Sequence, residues 1–403
     1  MEQTHDPFRH LTYLRQSLSQ DSESIGFFIS AGCPLSVKMP EDKWPLIPDV
    51  AGLTNHIKDE LRDDELFKQL INELDKAGKN SSNVEDILSF IRSLILVSEG
   101  GEVRGFNTGQ LKSLEAAVCT EIVKKIDVEL PTQETPYHRL GKWIRSIDRK
   151  HAIEIFTTNY DLLLEQALEE LEIPYFDGFV GARKPFFDLR TVEDSLIPIH
   201  WSRLWKIHGS INWHLDKKDS TGEITSVYRT SSVKKDSSHL IYPSHLKYEE
   251  SRKMPYLALI DQLSRFVRNK SSLLILSGYS FNDFHLNDAI VNALKSNPTG
   301  MVLALMYGNY FKDDTQEPRY PKAFELAQKQ HNLNIWTFDK AVIGTNVGNW
   351  KPQHQTENDA ELAQFIELVN DEENEQQSFT VRLGDFDHFS KFLKTIIGHR
   401  DEQ

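Results

Sequence analysis

The chain has little cysteine: only Cys33 and Cys119 occur in 403 residues. Two thiols can build neither a disulfide framework nor a four-cysteine zinc site. Long apolar runs are missing as well. None approaches the ~18 residues of a membrane helix, and the opening MEQTHDPFRH is too polar for a secretory signal. The expectation is a cytoplasmic protein that does not meet a membrane. Positive charge is also short, with 46 Lys and Arg against 60 Asp and Glu, a net charge of −14. That balance argues against wrapping nucleic acid on a basic face. The basic pairs Lys217-Lys218 and Lys234-Lys235 lie in Ser/Thr-rich stretches and read as solvated loop. Nucleic acid is therefore expected only indirectly, through a partner.

What is present suits a globular chain: 39% hydrophobic and 26% charged residues are ordinary for one with a real core. At ~150 residues per domain the length allows two or three domains, or one large domain with an insertion. Residues 25–30 read as a buried strand that ends in the turn Ala31-Gly32-Cys33-Pro34. Residues 55–99 then switch to helical period with many charges, broken by the loop 78–83 and closed by Gly100-Gly101. Helical pattern resumes over 109–128 and 136–149, a helical insertion spanning about 55–149. Further strands are expected at Ile153–Thr157, Leu204–Ile207, Leu273–Leu276, Met301–Met306 and Asn334–Phe338, with helices from Asp161 and near 286–295. Buried runs alternating with helices predict an α/β fold, a Rossmann-like, mostly parallel, doubly wound sheet. Residues 216–239 read as a polar loop or hairpin. Beyond 345 the pattern breaks into a helix near 357–370, the acidic stretch NDEENEQQ, the run FTVRLG and a final helix over 385–397. This division gives a main domain over 1–345 and a small C-terminal appendage over 346–403. The final helix, with Phe386, Phe389, Phe392, Leu393 and Ile396, is expected to pack within the molecule, the alternative being an oligomer or partner surface.

Four turns each follow a predicted strand: SAGCPLS (30–36), TTNYD (157–161), KIHGSINW (206–213) and LSGYSFNDFH (276–285). Side chains at the carboxyl ends of strands in an open α/β sheet face the ligand crevice. Taken singly the turns are not decisive. Ser30-Ala31-Gly32 lacks the full glycine-rich dinucleotide fingerprint, His208 alone could be a core or capping residue, and Asn159 and Asp161 are common in caps and turns. Asp283, His285 and Asp288 read as a polar helix N-terminus, and His200, His208 and His214 lack a usual ligand spacing, so no metal is expected.

In order and context the four turns resemble the sirtuin superfamily, and more closely the sirtuin-like NAD hydrolases of bacterial anti-phage defence. The resemblance spans roughly residues 25–310, and its strongest part is FTTNYD combined with IHGSIN. It implies NAD as substrate, with Asn159 and His208 catalytic. Ala31 and Gly32 would offer backbone N–H groups to the pyrophosphate, Thr158 and Asp161 would frame the nicotinamide ribose, and Gly278 and Ser280 would meet the adenosine side. Pro48-Asp49 is similar to the family's Ile-Pro-Asp element, which would put Asp49 at the nicotinamide amide. An imidazole can activate a ribose hydroxyl or a water as the nicotinamide–ribose bond breaks through an oxocarbenium-like state. The chain departs from the family pattern at Ser30, at Pro34 and at Thr158, which stands in place of a Gln. It also lacks the zinc cysteines and a counterpart of the acyl-lysine segment. These departures count against an NAD-dependent protein deacylase, and the retained Asn159 and His208 count against a non-catalytic NAD or ADP-ribose scaffold. By the same resemblance the chain is expected to form a homo-oligomer and to assemble with a HerA-like hexameric ATPase that controls it.

Overall fold

The computed structural model describes residues 3–217, 224–231, 239–241, 255–312, 315–353, 360–371 and 376–397. Lys218, Lys234, Lys235 and the middle of the acidic stretch after Asn370 lie outside the described residues. In chain order, the strands of the main sheet are β1 (Thr4–His5), β2 (Ser24–Ile29), β3 (Glu154–Thr157), β4 (Tyr175–Phe176) and β5 (Ser202–Lys206), then β6 (Ser272–Ser277), β7 (Met301–Leu305), β8 (Leu333–Trp336), β9 (Lys340–Ile343) and β10 (Asn346–Trp350). Among the described residues these ten strands run β1-β10-β9-β8-β7-β6-β2-β3-β5-β4 across one sheet. From β8 to β4 every neighbouring pair is parallel; β9 and β10 add an antiparallel hairpin beside β8, and β1 closes that edge parallel to β10.

The two-residue period of the strands makes the sheet two-sided. Ile25, Phe27 and Ile29 of β2 enter one core, while Phe28 enters the other. Ile155 and Phe156 of β3 divide the same way, as do Leu273 and Leu274 of β6. Strands buried on both faces need helices on both sides, which is the mostly parallel α/β arrangement expected from the alternating runs.

Helix α1 (Pro7–Ser19) precedes β2, and five α-helices lie between β2 and β3 in the chain: α2 (Val50–Glu60), α3 (Glu65–Lys76), α4 (Val84–Val97), α5 (Thr108–Ile126) and α6 (Pro136–Arg145). Each begins at a side chain that accepts a backbone N–H: Asp49, Asp64, Asn83, Asn107 and Thr135. The last of them ends at Arg145, four residues short of its predicted limit, where Ser146 caps it. Asp161 leads into α7 (Leu163–Glu170), and the opposite face carries α8 (Tyr256–Arg268) and α9 (Phe284–Ser296).

Two readings need correction or sharpening. The described parts of 209–241 form antiparallel strands (Gly209–Lys217, Ile224–Arg229, His239–Ile241) of a separate small sheet. The helix expected near 357–370 is wrong: among the described residues of that range only Ala360–Ala363 is helical, and Ile366–Asp371 is a strand paired with Gln376–Val381. Cross-strand pairing overrides the local helical pattern there. The last helix, α10 (Phe386–Ile397), buries Phe386, Phe389, Phe392 and Leu393 in the same core as Phe27. The Phe389 and Phe27 rings lie 6.2 Å apart. Arg139 of α6 donates to Ser390 Oγ at 2.9 Å and pairs with Asp387, so the helix is locked by charge as well as by packing.

Candidate active site

Strands β6, β2, β3 and β5 lie side by side, and the four predicted turns leave their carboxyl ends. The chain runs outward from β2 in both directions, so this is the point where an open parallel sheet has its ligand crevice. The turns after β2 and β6 meet backbone to backbone. Ser30 N–H donates to the Ser277 carbonyl at 3.0 Å and Gly32 N–H to the Gly278 carbonyl at 3.1 Å. A Cβ on Gly278 would lie 2.7 Å from Cys33 N, and the residue has φ +70°, so glycine is required on both counts.

The TTNYD turn is pinned from several sides. Asn159 N–H donates to Thr157 Oγ1 at 3.0 Å, its amide reaches the Ser30 carbonyl at 3.4 Å, and the Ser30 and Thr158 hydroxyls lie 2.7 Å apart. Asp161 accepts from Leu163 N–H at 3.1 Å, which sets the start of α7. Beneath it, the buried Lys206 ammonium donates to the Asp161 carbonyl and, at 2.8 Å, to Glu165. Burial pushes the Asp161 carboxyl up to about 6, with Lys206 acting in the opposite direction.

His208, buried, follows β5. Its Nε2 lies 3.2 Å from Asp283 Oδ2, and its Nδ1 lies 4.0 Å from Glu85 Oε1. Tyr160 donates its hydroxyl to the same Glu85 oxygen at 3.2 Å. These groups surround a cavity of about 210 Å³.

Of the residues singled out from the sequence, Ala31, Thr158, Asn159, Asp161, His208, Gly278 and Ser280 line this cavity. Gly32 and Asp49 do not. The Gly32 N–H is spent on Gly278, so it is not available to a pyrophosphate. Asp49 is exposed and accepts from Gly52 N–H at 2.8 Å, capping its own helix beside Pro48, which does reach the wall. Asp283, Glu85 and Tyr160 were missed. Asp283 had a signal, since it stands in the last turn, but its helix-capping role accounted for it. His285 and Asp288 of the same stretch are exposed on α9. Both cysteine thiols are buried and pushed up, Cys33 to about 12 and Cys119 to about 11, so neither is a ready thiolate. Among the described residues no group of three or more His, Cys, Asp or Glu could hold a metal ion.

A SIR2-like domain matches residues 153–333. The matched stretch contains TTNYD, the His208-Gly209 turn and the Gly278–Asp283 turn, and so supplies three of the four strand-end turns that line the cavity. A structure solved in work on the mechanism and regulation of Sir2 enzymes aligns over 76% of this chain and 88% of its own, at 10% identity and a TM-score of 0.36. No curated protein matches the chain. No helix among the described residues is long and apolar enough to cross a membrane.

Proposed function

We propose that the chain is an NAD hydrolase, cleaving the nicotinamide–ribose bond to give nicotinamide and ADP-ribose. The observation that carries this reading is a single cavity shared by Asn159, His208 and three carboxylates, Glu85, Asp161 and Asp283. The SIR2-like match over the same turns supports it. The substrate's nicotinamide ring is cationic, and positive charge builds on the ribose as the bond breaks. Carboxylates fixed in a partly buried wall favour that charge more than they would in water.

In this reaction the bond between ribose C1′ and the ring nitrogen breaks, and its electron pair stays with the nitrogen, neutralising the ring. Water adds to C1′, its proton passing to His208 as general base. The Asn159 amide, held at the Ser30 carbonyl, orients the ribose and the water. Ionised Asp161 stabilises the ribosyl cation, and Thr158 hydrogen-bonds the ribose. Activity that depletes NAD suits a role in anti-phage defence. It calls for restraint by assembly, with a homo-oligomer and a HerA-like ATPase as the partners proposed.

Chromatography of NAD incubated with the purified chain, alone and with any co-purifying ATPase, tests the reading. Nicotinamide and ADP-ribose should appear with the wild type and fall by about 100-fold or more in Asn159→Ala and His208→Ala. NAD left intact by the wild type under both conditions sinks the proposal.

A further inference from the structure

His208 sits between segments distant in sequence, and the contact at its Nε2 is built from both sides. Asp283 is the N-cap of α9. Its Oδ1 accepts the N–H groups of His285 at 3.0 Å and Leu286 at 3.2 Å, which fixes the carboxylate plane. Its Oδ2 then faces His208 Nε2 at 3.2 Å, and the two side chains are only 9% and 4% exposed. A helix N-terminus favours negative charge on its cap. The approach is further set by Tyr279, whose hydroxyl donates to Asn287 Oδ1 at 2.8 Å and lies 3.3 Å from the Asp283 carbonyl.

We propose that Asp283 is the positioning residue of this site: it holds His208 as the Nε2–H tautomer and leaves Nδ1 as the nitrogen that takes a proton. The inference rests on the hydrolase reading for its consequence, but its geometry stands apart from it. A carboxylate accepts and cannot donate, so with Oδ2 3.2 Å away the Nε2 nitrogen is the one favoured to carry the hydrogen. The other nitrogen then faces the side of the cavity formed by Glu85 and Tyr160. The Asp283 carboxylate also stabilises the imidazolium formed when Nδ1 accepts the proton, as the third member of a hydrolase triad does for its histidine. In this role Asp283 acts through His208.

The test is Asp283→Asn in the full chain. Asparagine is as good an N-cap as aspartate, so α9 should stay folded, with the melting temperature lowered only slightly by loss of the charge at the helix N-terminus. The substitution removes the charge and lets an amide N–H face Nε2, which favours the opposite tautomer. Two readouts are compared. In steady-state NAD cleavage, kcat should fall by about 100-fold or more with KM little changed. In ¹⁵N spectra of histidine-labelled protein, with the His208 signal assigned by its loss in His208→Ala, the wild type should show protonated Nε2 and unprotonated Nδ1, and Asp283→Asn should lose that pattern. A variant that keeps both the wild-type kcat and the wild-type pattern overturns the proposal, and so does a wild type carrying its proton on Nδ1. If the wild type leaves NAD intact while the pattern responds to Asp283→Asn, the hydrolase reading fails and the His208–Asp283 pairing stands.

Discussion

Glu154 and Asp161 stand at opposite ends of β3, and burial pushes both carboxyls up, to about 7 and about 6. By that measure they are alike, yet their surroundings differ. Asp161 lies at the carboxyl end, where Ser30, Thr158, His208 and Asp283 arrive from separate segments and converge on the 210 Å³ cavity. Glu154 lies at the amino end. It accepts from Trp205 Nε1 at 2.8 Å and pairs across the sheet with Arg203, its neighbour in the β3–β5 register. Arg203 is itself held by the carbonyls of Ile197, Pro198 and Trp201. A perturbed carboxylate is therefore a poor marker of chemistry by itself. Both ends have a cavity, that at Glu154 of about 200 Å³, and what distinguishes them is the lining: Glu154 faces the cations Lys150 and Arg203, whereas the carboxyl end gathers Asn159, His208 and three carboxylates.

Three substitutions sharpen this contrast. The largest effect belongs to Lys206→Met, which strips the buried Glu165 carboxylate of its cation and the Asp161 carbonyl of its donor. A loss of about 3–5 kcal/mol in chemical denaturation is expected, together with loss of NAD cleavage. Glu154→Gln should act with the opposite sign. Because the folded-state pKa of Glu154 is raised from 4.5 to about 7, its contribution to stability is whole below 4.5 and is lost as pH rises through 7. Glutamine removes that loss, so the variant should gain up to about 3 kcal/mol over wild type at pH 8 and nothing at pH 4. Its NAD cleavage should match wild type, and a fall in activity would break the division between the two ends. The smallest effect is expected for Ser30→Ala, which removes one hydroxyl contact between the β2 and β3 turns and should cost about 1 kcal/mol by the same denaturation measurement.

Much of this arrangement was legible because the sheet imposes it. Short buried runs followed by polar turns place Thr158, Asn159, His208 and Gly278 at strand ends, and parallel strands put those ends on one side. Where reading failed, the missing information lay in distant contacts. Gly32 was assigned a ligand-facing N–H, whereas its conformation serves close approach to Gly278, 246 positions later in the numbering. Asp49 was assigned to the site from the element Pro48-Asp49, but a local cap claims its carboxylate. Asp283 was correctly read as a cap, and nothing nearby in sequence says that its second oxygen meets His208. Glu85 is an ordinary acid in the first turn of α4, indistinguishable from Asp86 until the fold brings it to Tyr160. The strand Ile366–Asp371 was hidden because its helical-looking charges are outweighed by a partner strand beyond the acidic stretch.

The position of β2 also bears on how the protein is made. Gly26 of this early strand pairs with Glu154 on one side and Leu274 on the other. On the ribosome, the strand that anchors the sheet emerges first and waits for neighbours encoded far downstream. His208 gains its Asp283 contact only after both have been translated. A polypeptide whose synthesis stops before β6 therefore carries TTNYD and His208 but has neither the second wall of the crevice nor the carboxylate behind the imidazole. Incomplete products of translation are predicted to lack the proposed NAD cleavage, a built-in safeguard if the finished chain has it.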